Sequence, residues 1–232
     1  YAQAYFDYDS KKSGGVTISH LRFGKDPIRS TYLINKANFV ACHCPAYIHK
    51  YNMVQDLVPG GTFLLNCSWD MEGLEKHLPG QVKAFIANHN IKFYTIDGVK
   101  IGIETGMGPT RINTILQSAF FKLTGIIPED QAIDLMKAAA KATYGRKGDD
   151  VVQKNWAAID AGAKQVVEIQ VPESWKNAED EGLHMTHATE GRQDVIDFVN
   201  NIQAKVNAQE LLTCICIQGL CRWYNTIRFC CI

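Results

Sequence analysis

The sequence predicts an α/β fold: a layered domain with a mainly parallel or mixed sheet and a helical C-terminal half. Three observations carry this. Short β-rich runs alternate with turns and helical stretches through the first half of the chain. Apolar residues spaced by three and four dominate the second half. The composition, 46% apolar and 21% charged over 232 residues, is that of a globular protein large enough to enclose one sizeable core.

The strand-like runs are Val16 to Leu21, Ile28 to Ile34, Asn38 to Ala41, Thr62 to Asn66 and Ile91 to Asp97. Pro45 to Leu57 reads as a helix opened by proline, with Pro59-Gly60-Gly61 as the turn into the next strand. Leu78 to Asn90 reads as a helix with Val82, Phe85 and Ile86 on one face. Ile112, Ile115, Leu116, Ala119, Phe120 and Leu123 form the buried stripe of the next helix, which Gly125 stops. Pro128-Glu129-Asp130 opens another, with carboxylates at its positive end, running to Tyr144-Gly145. A further helix begins near Asp149 and buries Val152, Trp156, Ile159, Ala163 and Val166. Glu173 to Glu190 reads as a polar linker carrying His184 and His187, and Val195 to Val206 as an amphipathic stretch.

Equal numbers of bases and acids, 24 each, leave no general field to draw the chain to nucleic acid or anionic lipid, so any anion site must be local. No run of about 18 apolar residues suits a membrane span. The opening Tyr1-Ala2-Gln3 carries no initiator Met and no signal peptide, and reads as a piece of a longer, cytoplasmic chain.

Several segments are candidates for binding. Ser13, Gly14, Gly15, Val16 and Thr17, preceded by Lys11-Lys12, combine backbone donors, hydroxyls and positive charge suited to a phosphate; the same residues also read as a glycine turn into a strand. Arg146 and Lys147 form a second basic turn between two helices, a combination that is equally favourable at a helix C-terminus without a ligand. Arg111 and Asn113 fall at the start of the strongest helix, where an anion or polar ligand binds well, and where Thr110 also reads as an ordinary N-cap. Cys42-His43-Cys44 lacks the four nearby ligands that zinc needs and reads as buried thiols. No acid, base or nucleophile stands out as catalytic, and no residue set as a metal site.

The run from Tyr5 through Ser13-Gly14-Gly15 to Ser19-His20-Leu21-Arg22-Phe23-Gly24 closely resembles pyruvate:ferredoxin (flavodoxin) oxidoreductases. Pro27 to Ile34, Gly60 to Asn66, His77-Leu78-Pro79, Ile91 to Tyr94, Arg111-Ile112-Asn113, Gln117 to Leu123 and Tyr144 to Gly148 look like that family in the same order. The resemblance implies the central, gamma-type domain of an enzyme that oxidises pyruvate on thiamine diphosphate. Electrons then pass through [4Fe-4S] clusters to ferredoxin or flavodoxin, and acetyl passes to coenzyme A. It further implies that this domain helps hold coenzyme A through Ser13, Gly14, Gly15, Val16 and Thr17, then Arg146 and Lys147, with Arg111 and Asn113 also considered. Thiamine diphosphate and the clusters are expected in the missing domains, and a homodimer is expected of the complete enzyme. Two other readings remain: an interdomain scaffold that touches no cofactor, and the gamma-type domain of another 2-oxoacid oxidoreductase.

The expected organisation is a gamma-type domain over 1–172, a linker and amphipathic segment over 173–210, and a tail over 211–232. Cys214, Cys216, Cys221, Cys230 and Cys231 crowd that tail, where the resemblance ends abruptly. Read one base later, permitted codons from Leu212 onward restore a family-like string. The tail is therefore expected to be translated out of frame after one inserted or deleted base near codon 211, and its cysteines to hold neither zinc nor a cluster.

Overall fold

The computed structural model describes residues 1–8, 15–179, 188–204 and 225–231. Among the described residues, seven strands form one mixed sheet: β1 (Ala2–Tyr8), β2 (Thr17–Phe23), β3 (Ala37–Cys42), β4 (Leu57–Asn66), β5 (Lys92–Ile96), β6 (Val167–Ile169) and β7 (Asn225–Cys231). Their order is β1-β2-β7-β3-β4-β5-β6. β3, β4, β5 and β7 run parallel, while β1, β2 and β6 run against their neighbours. The segment set apart in sequence as a tail thus supplies the strand joining the β1-β2 hairpin to the parallel strands; its residues 211–224 and 232 lie outside the described residues.

Both faces of the parallel strands are covered, which explains why these strands read as almost continuous apolar runs. Val40, Cys42, Phe63, Leu65 and Phe93 face α1 (Met71–His77) and α2 (Gly80–Asn88), meeting Leu74, Val82 and Ile86. Phe39, Ala41, Leu64 and Ile96 face the other way, toward α3 (Gly98–Glu104), α4 (Asn113–Thr124) and α6 (Asp149–Lys164). The stripe expected on α4 is there, with Ile115, Leu116, Ala119 and Phe120 buried and Gly125 ending the helix at φ 57°. Outside α6 lies α5 (Glu129–Tyr144), whose Met136 and Ala140 cover Ile159 and Trp156.

Three expected elements differ. Ile28 to Ile34 forms no strand, because side chains rather than a strand partner satisfy its backbone: Gln3 donates to the Ser30 carbonyl at 2.6 Å, Arg22 to that of Tyr32, and the Ile34 N–H donates to His20 Nδ1 at 3.1 Å. Pro45 to Leu57 is not one helix. Proline opens only a 3₁₀ turn to His49, and the buried residues Tyr47, Ile48, Met53 and Val54 are spaced by one and five, which fits no single helical stripe. Leu57 already belongs to β4, and Gly60, at φ 75°, marks a register break within that strand instead of a turn before it.

The stretch read as a polar linker begins with a docked 3₁₀ turn, Glu173–Asn177, whose Trp175 is 1% exposed. Its indole N–H donates to Glu75 on α1, and the Lys83 ammonium, which also pairs with Glu75 at 3.2 Å, stands 5.9 Å from the indole centre. His184 and His187 lie outside the described residues. Farther on, α7 (Gln193–Phe198) runs into a π-helical turn, and Val195, Phe198 and Ile202 are exposed.

Candidate functional site

The first group of candidate residues lies at the carboxyl end of the parallel strands, where α/β sheets generally bind ligands. β2 runs antiparallel to β7, so Thr17 opens its strand at the same end where β3 and β7 finish. Tyr47, just beyond β3, donates its hydroxyl to the Gly15 carbonyl at 3.3 Å. A further turn, Gly106 to Ile112, returns the chain from α3 to that end. It is pinned by the Gly108 N–H donating to the Gly102 carbonyl at 2.8 Å, with Gly106 and Gly108 at φ 74° and 86°. A Cβ on Gly102 would stand 2.5 Å from the Gly108 oxygen, so this fold-back requires glycine there.

Between this turn, the start of α4 and the α5–α6 connection opens a polar cleft of about 570 Å³, within the roughly 300–1,000 Å³ usual for small-ligand sites. Arg111, Asn113 and Thr114 line one side; Tyr144, Lys147 and Lys154 line the other. Candidate residues from two separate parts of the sequence, Arg111 with Asn113 and Lys147, therefore line one cleft. Arg146 shares the 3₁₀ turn Gly145–Lys147 but does not line the cleft. Ser13 and Gly14 lie outside the described residues, and the Val16 side chain, 6% exposed, packs in the core face shared with α1 and α2. Only the backbone of Val16 is left for a ligand.

The cleft draws positive character from two sources, Arg111 with Lys147 and the start of α4. Among the described residues neither Arg111 nor Lys147 has a carboxylate partner, and Lys147 stands over the Tyr144 ring at 5.6 Å. Lys154 is held by Asp150 at 2.6 Å. The twelve-residue α4 starts without a side-chain cap and without an acid in its first turn, so its positive end faces the cleft uncompensated. The N-cap is Ile112, not Thr110; the helix starts at Asn113, leaving Arg111 in the preceding turn.

A second cleft, about 580 Å³ and not foreseen from the sequence, lies beyond the ends of β4 and β5, lined by Asn66, Cys67, Ser68, Asp97 and Lys100. Its polar groups are largely satisfied internally: Asn66 Oδ1 accepts from the Gly98 N–H and Asp97 from that of Lys100, each at 2.9 Å. Burial pushes the Cys67 thiol up to about 11, leaving it protonated and unreactive at neutral pH. Cys42 is fully buried, and its thiol donates to the Cys44 carbonyl at 3.1 Å. Among the described residues, no three His, Cys, Asp or Glu side chains gather as a metal site. No helix among them is long and apolar enough to cross a membrane.

Residues 1–165 match the family model described as pyruvate ferredoxin/flavodoxin oxidoreductase. The chain is 49% identical over 204 residues to the pyruvate:ferredoxin oxidoreductase of Moorella thermoacetica, covering 88% of this chain and 17% of that protein. It is 52% identical over 210 residues to the pyruvate-flavodoxin oxidoreductase of Enterobacter agglomerans, covering 90% and 17%. It thus spans about a sixth of the length of these relatives. Among solved structures, a pyruvate oxidoreductase subunit from Thermotoga maritima shares the fold, with a TM-score of 0.56 and 18% identity over 73% of this chain and 82% of that one.

Proposed function

Since the chain belongs to the pyruvate ferredoxin/flavodoxin oxidoreductase family, we propose that it is one domain of an enzyme that converts pyruvate, coenzyme A and oxidised ferredoxin or flavodoxin to acetyl-CoA, CO2 and reduced carrier, and that this domain contributes to holding coenzyme A. On this reading thiamine diphosphate, the iron–sulfur clusters and the surfaces for carrier and dimer partner belong to the remaining domains.

The meeting of Arg111, Asn113 and Lys147 at the uncapped start of α4 carries the proposal. Coenzyme A is polyanionic at its nucleotide end and carries its thiol at the tip of a long arm. Two cations without a carboxylate partner among the described residues, and a helix N-terminus, suit the first, and holding it lets the arm reach a reacting centre elsewhere, so that the domain lowers the entropic cost of the encounter without supplying an acid, base or nucleophile. Gly15 and Thr17, at the start of β2 and separated from β5 by three strands, stay separate candidates for a contact through backbone groups and hydroxyl.

Calorimetric titration of the 232-residue chain with coenzyme A tests this. Saturable heat that Arg111→Ala and Lys147→Ala diminish supports it; no heat at millimolar ligand overturns a self-sufficient site. A scaffold reading draws on the exposed aromatic side chains Tyr5, Phe6 and Tyr8 of the edge strand β1, a surface suited to a neighbouring domain. Replacing Arg111 and Lys147 in the full-length enzyme separates the two, because an unchanged KM for coenzyme A favours the scaffold.

A further inference from the structure

The outer strand of the sheet is unprotected along its whole length. Among the described residues β1 is an edge strand, with β2 on one side and no strand on the other. It contains no Lys and no Pro, and its pairing with β2 runs without a bulge, so it lacks the usual devices that keep an edge from pairing again. The opposite edge, β6, is only three residues long and carries Glu168 at its centre. The start of β1 shows which of its backbone groups are open. Tyr1 and Gly24 exchange both hydrogen bonds: the Gly24 N–H donates to the Tyr1 carbonyl at 3.1 Å, and the Tyr1 nitrogen to the Gly24 carbonyl at 2.8 Å. Antiparallel pairs alternate, so Gln3, Tyr5 and Asp7 also bond toward β2. Ala2, Ala4, Phe6 and Tyr8 therefore turn their N–H and C=O groups to the open edge.

We infer that this edge pairs antiparallel with the same strand of a second copy of this chain, about a two-fold axis at Tyr5. That register sets Ala2 opposite Tyr8 and Ala4 opposite Phe6 of the second copy, so every outward-facing backbone group gains a partner. The side chains are self-complementary in the same register. Even-numbered residues share one face of the strand, where the exposed Phe6 and Tyr8 rings each meet the methyl group of an exposed alanine instead of another ring. On the other face Tyr5, 56% exposed, meets its own copy, and Gln3 stands opposite Asp7. Asp7 carries the one charged side chain of β1, and this register keeps its two copies apart, where a two-fold axis at Asp7 would oppose them. The contact is independent of the coenzyme A proposal and additional to the surfaces assigned above to the remaining domains.

Sedimentation velocity of the 232-residue chain over a concentration series tests this, with a reversible monomer–dimer equilibrium expected in the micromolar range. Ala4→Pro removes an outward N–H, once in each copy, without touching the bonds to β2, and should weaken the dimer at least about tenfold. Tyr5→Cys sets two thiols opposite each other across the axis, at the roughly 4.5 Å Cα separation of a non-hydrogen-bonded pair, which is within disulfide range. Oxidation should link this variant into dimers beyond any link the parent forms, and should not link Asp7→Cys, whose neighbour across the axis is Gln3. The linked product is a readout that does not require Ala4→Pro to fold. A chain that stays monomeric up to millimolar concentration overturns the inference and leaves the edge to a neighbouring domain. A dimer that Ala4→Pro leaves intact, or that Tyr5→Cys does not link, has its interface elsewhere, as on the exposed Val195, Phe198 and Ile202, and overturns it too. So does a chain that forms only polydisperse aggregates.

Discussion

Gly162 of α6 lies against the carbonyl of Ile115 on α4 so closely that a Cβ at this glycine would stand 2.4 Å from the oxygen. One turn earlier the Ser118 hydroxyl of α4 donates to the Ile159 carbonyl of α6 at 2.7 Å. These two contacts set how near the helices approach, and therefore where Lys154 stands relative to the start of α4. Gly162→Ala gains helix propensity but must push the helices apart. The expected net result is destabilisation by roughly 1–3 kcal/mol, as for other overpacked sites, measured by urea denaturation. Ligand affinity should fall with it, since the cleft widens. A more stable variant would show that the helices separate freely.

Trp175 and Glu75 make a second test, with a pH dependence of known sign. The indole N–H donated to the Glu75 carboxylate, aided by Lys83, holds that carboxyl below its ordinary 4.5. A carboxyl depressed in the folded state contributes stability above its unfolded pKa and loses it as pH falls through the folded value. Trp175→Phe keeps most of the packing and removes the donor. Carboxyl NMR should then show Glu75 titrating closer to 4.5, with the acid unfolding transition shifting to higher pH. Trp175→Ala should cost about 3–5 kcal/mol through the lost core volume. A stability change below ~1 kcal/mol on that larger truncation would mean the turn Glu173–Asn177 is not docked.

The docking of Trp175 shows where the sequence was legible and where it was not. The stripe on α4 announces itself because four buried residues repeat at helical spacing. A lone tryptophan among Glu173, Ser174 and Lys176 has no period to reveal its burial, since its partners Glu75 and Lys83 lie some ninety to a hundred positions earlier. Ile28 to Ile34 failed in the opposite way: its composition suits a strand, but its backbone partners are the side chains of Gln3, His20 and Arg22. Arg111 and Lys147 were visible as two basic turns, although their meeting depends on the packing of α4 against α6. The burial of Asn155 on α6 was not visible, because a polar residue on an amphipathic helix reads as solvent-facing until the fold buries it.

His43 offers a second pH test, again on the acid side of neutrality. Burial alone lowers its imidazole from the ordinary 6.5 to about 4, so the ring stays neutral in the folded chain at pH 5 to 7. The unfolded chain takes up a proton there and the folded chain does not, so stability falls as pH drops below about 6.5 and the loss is complete only below the folded value. The His43 share between pH 7 and pH 5 is about 2 kcal/mol. Ring NMR should place its titration near 4, and His43→Asn should flatten the pH dependence of the denaturation midpoint. A ring titrating near 6.5 would show that the imidazole reaches water.

The charges of the cleft provide the remaining prediction. Arg111 and Lys147 lack carboxylate partners among the described residues, so removing either leaves no buried acid exposed and should barely move stability, within about ±0.5 kcal/mol. Affinity is a different matter. Each of Arg111→Ala and Lys147→Ala should weaken coenzyme A binding several-fold, about 1 kcal/mol apiece for a charge-assisted contact near the surface. Raising salt from low to physiological ionic strength should weaken the unsubstituted chain more than either variant, because each variant has one fewer charge to screen. Lys154→Ala should matter less, since Asp150 already holds that ammonium. Parallel salt slopes for all three variants and the parent would place the ligand's phosphates outside this cleft.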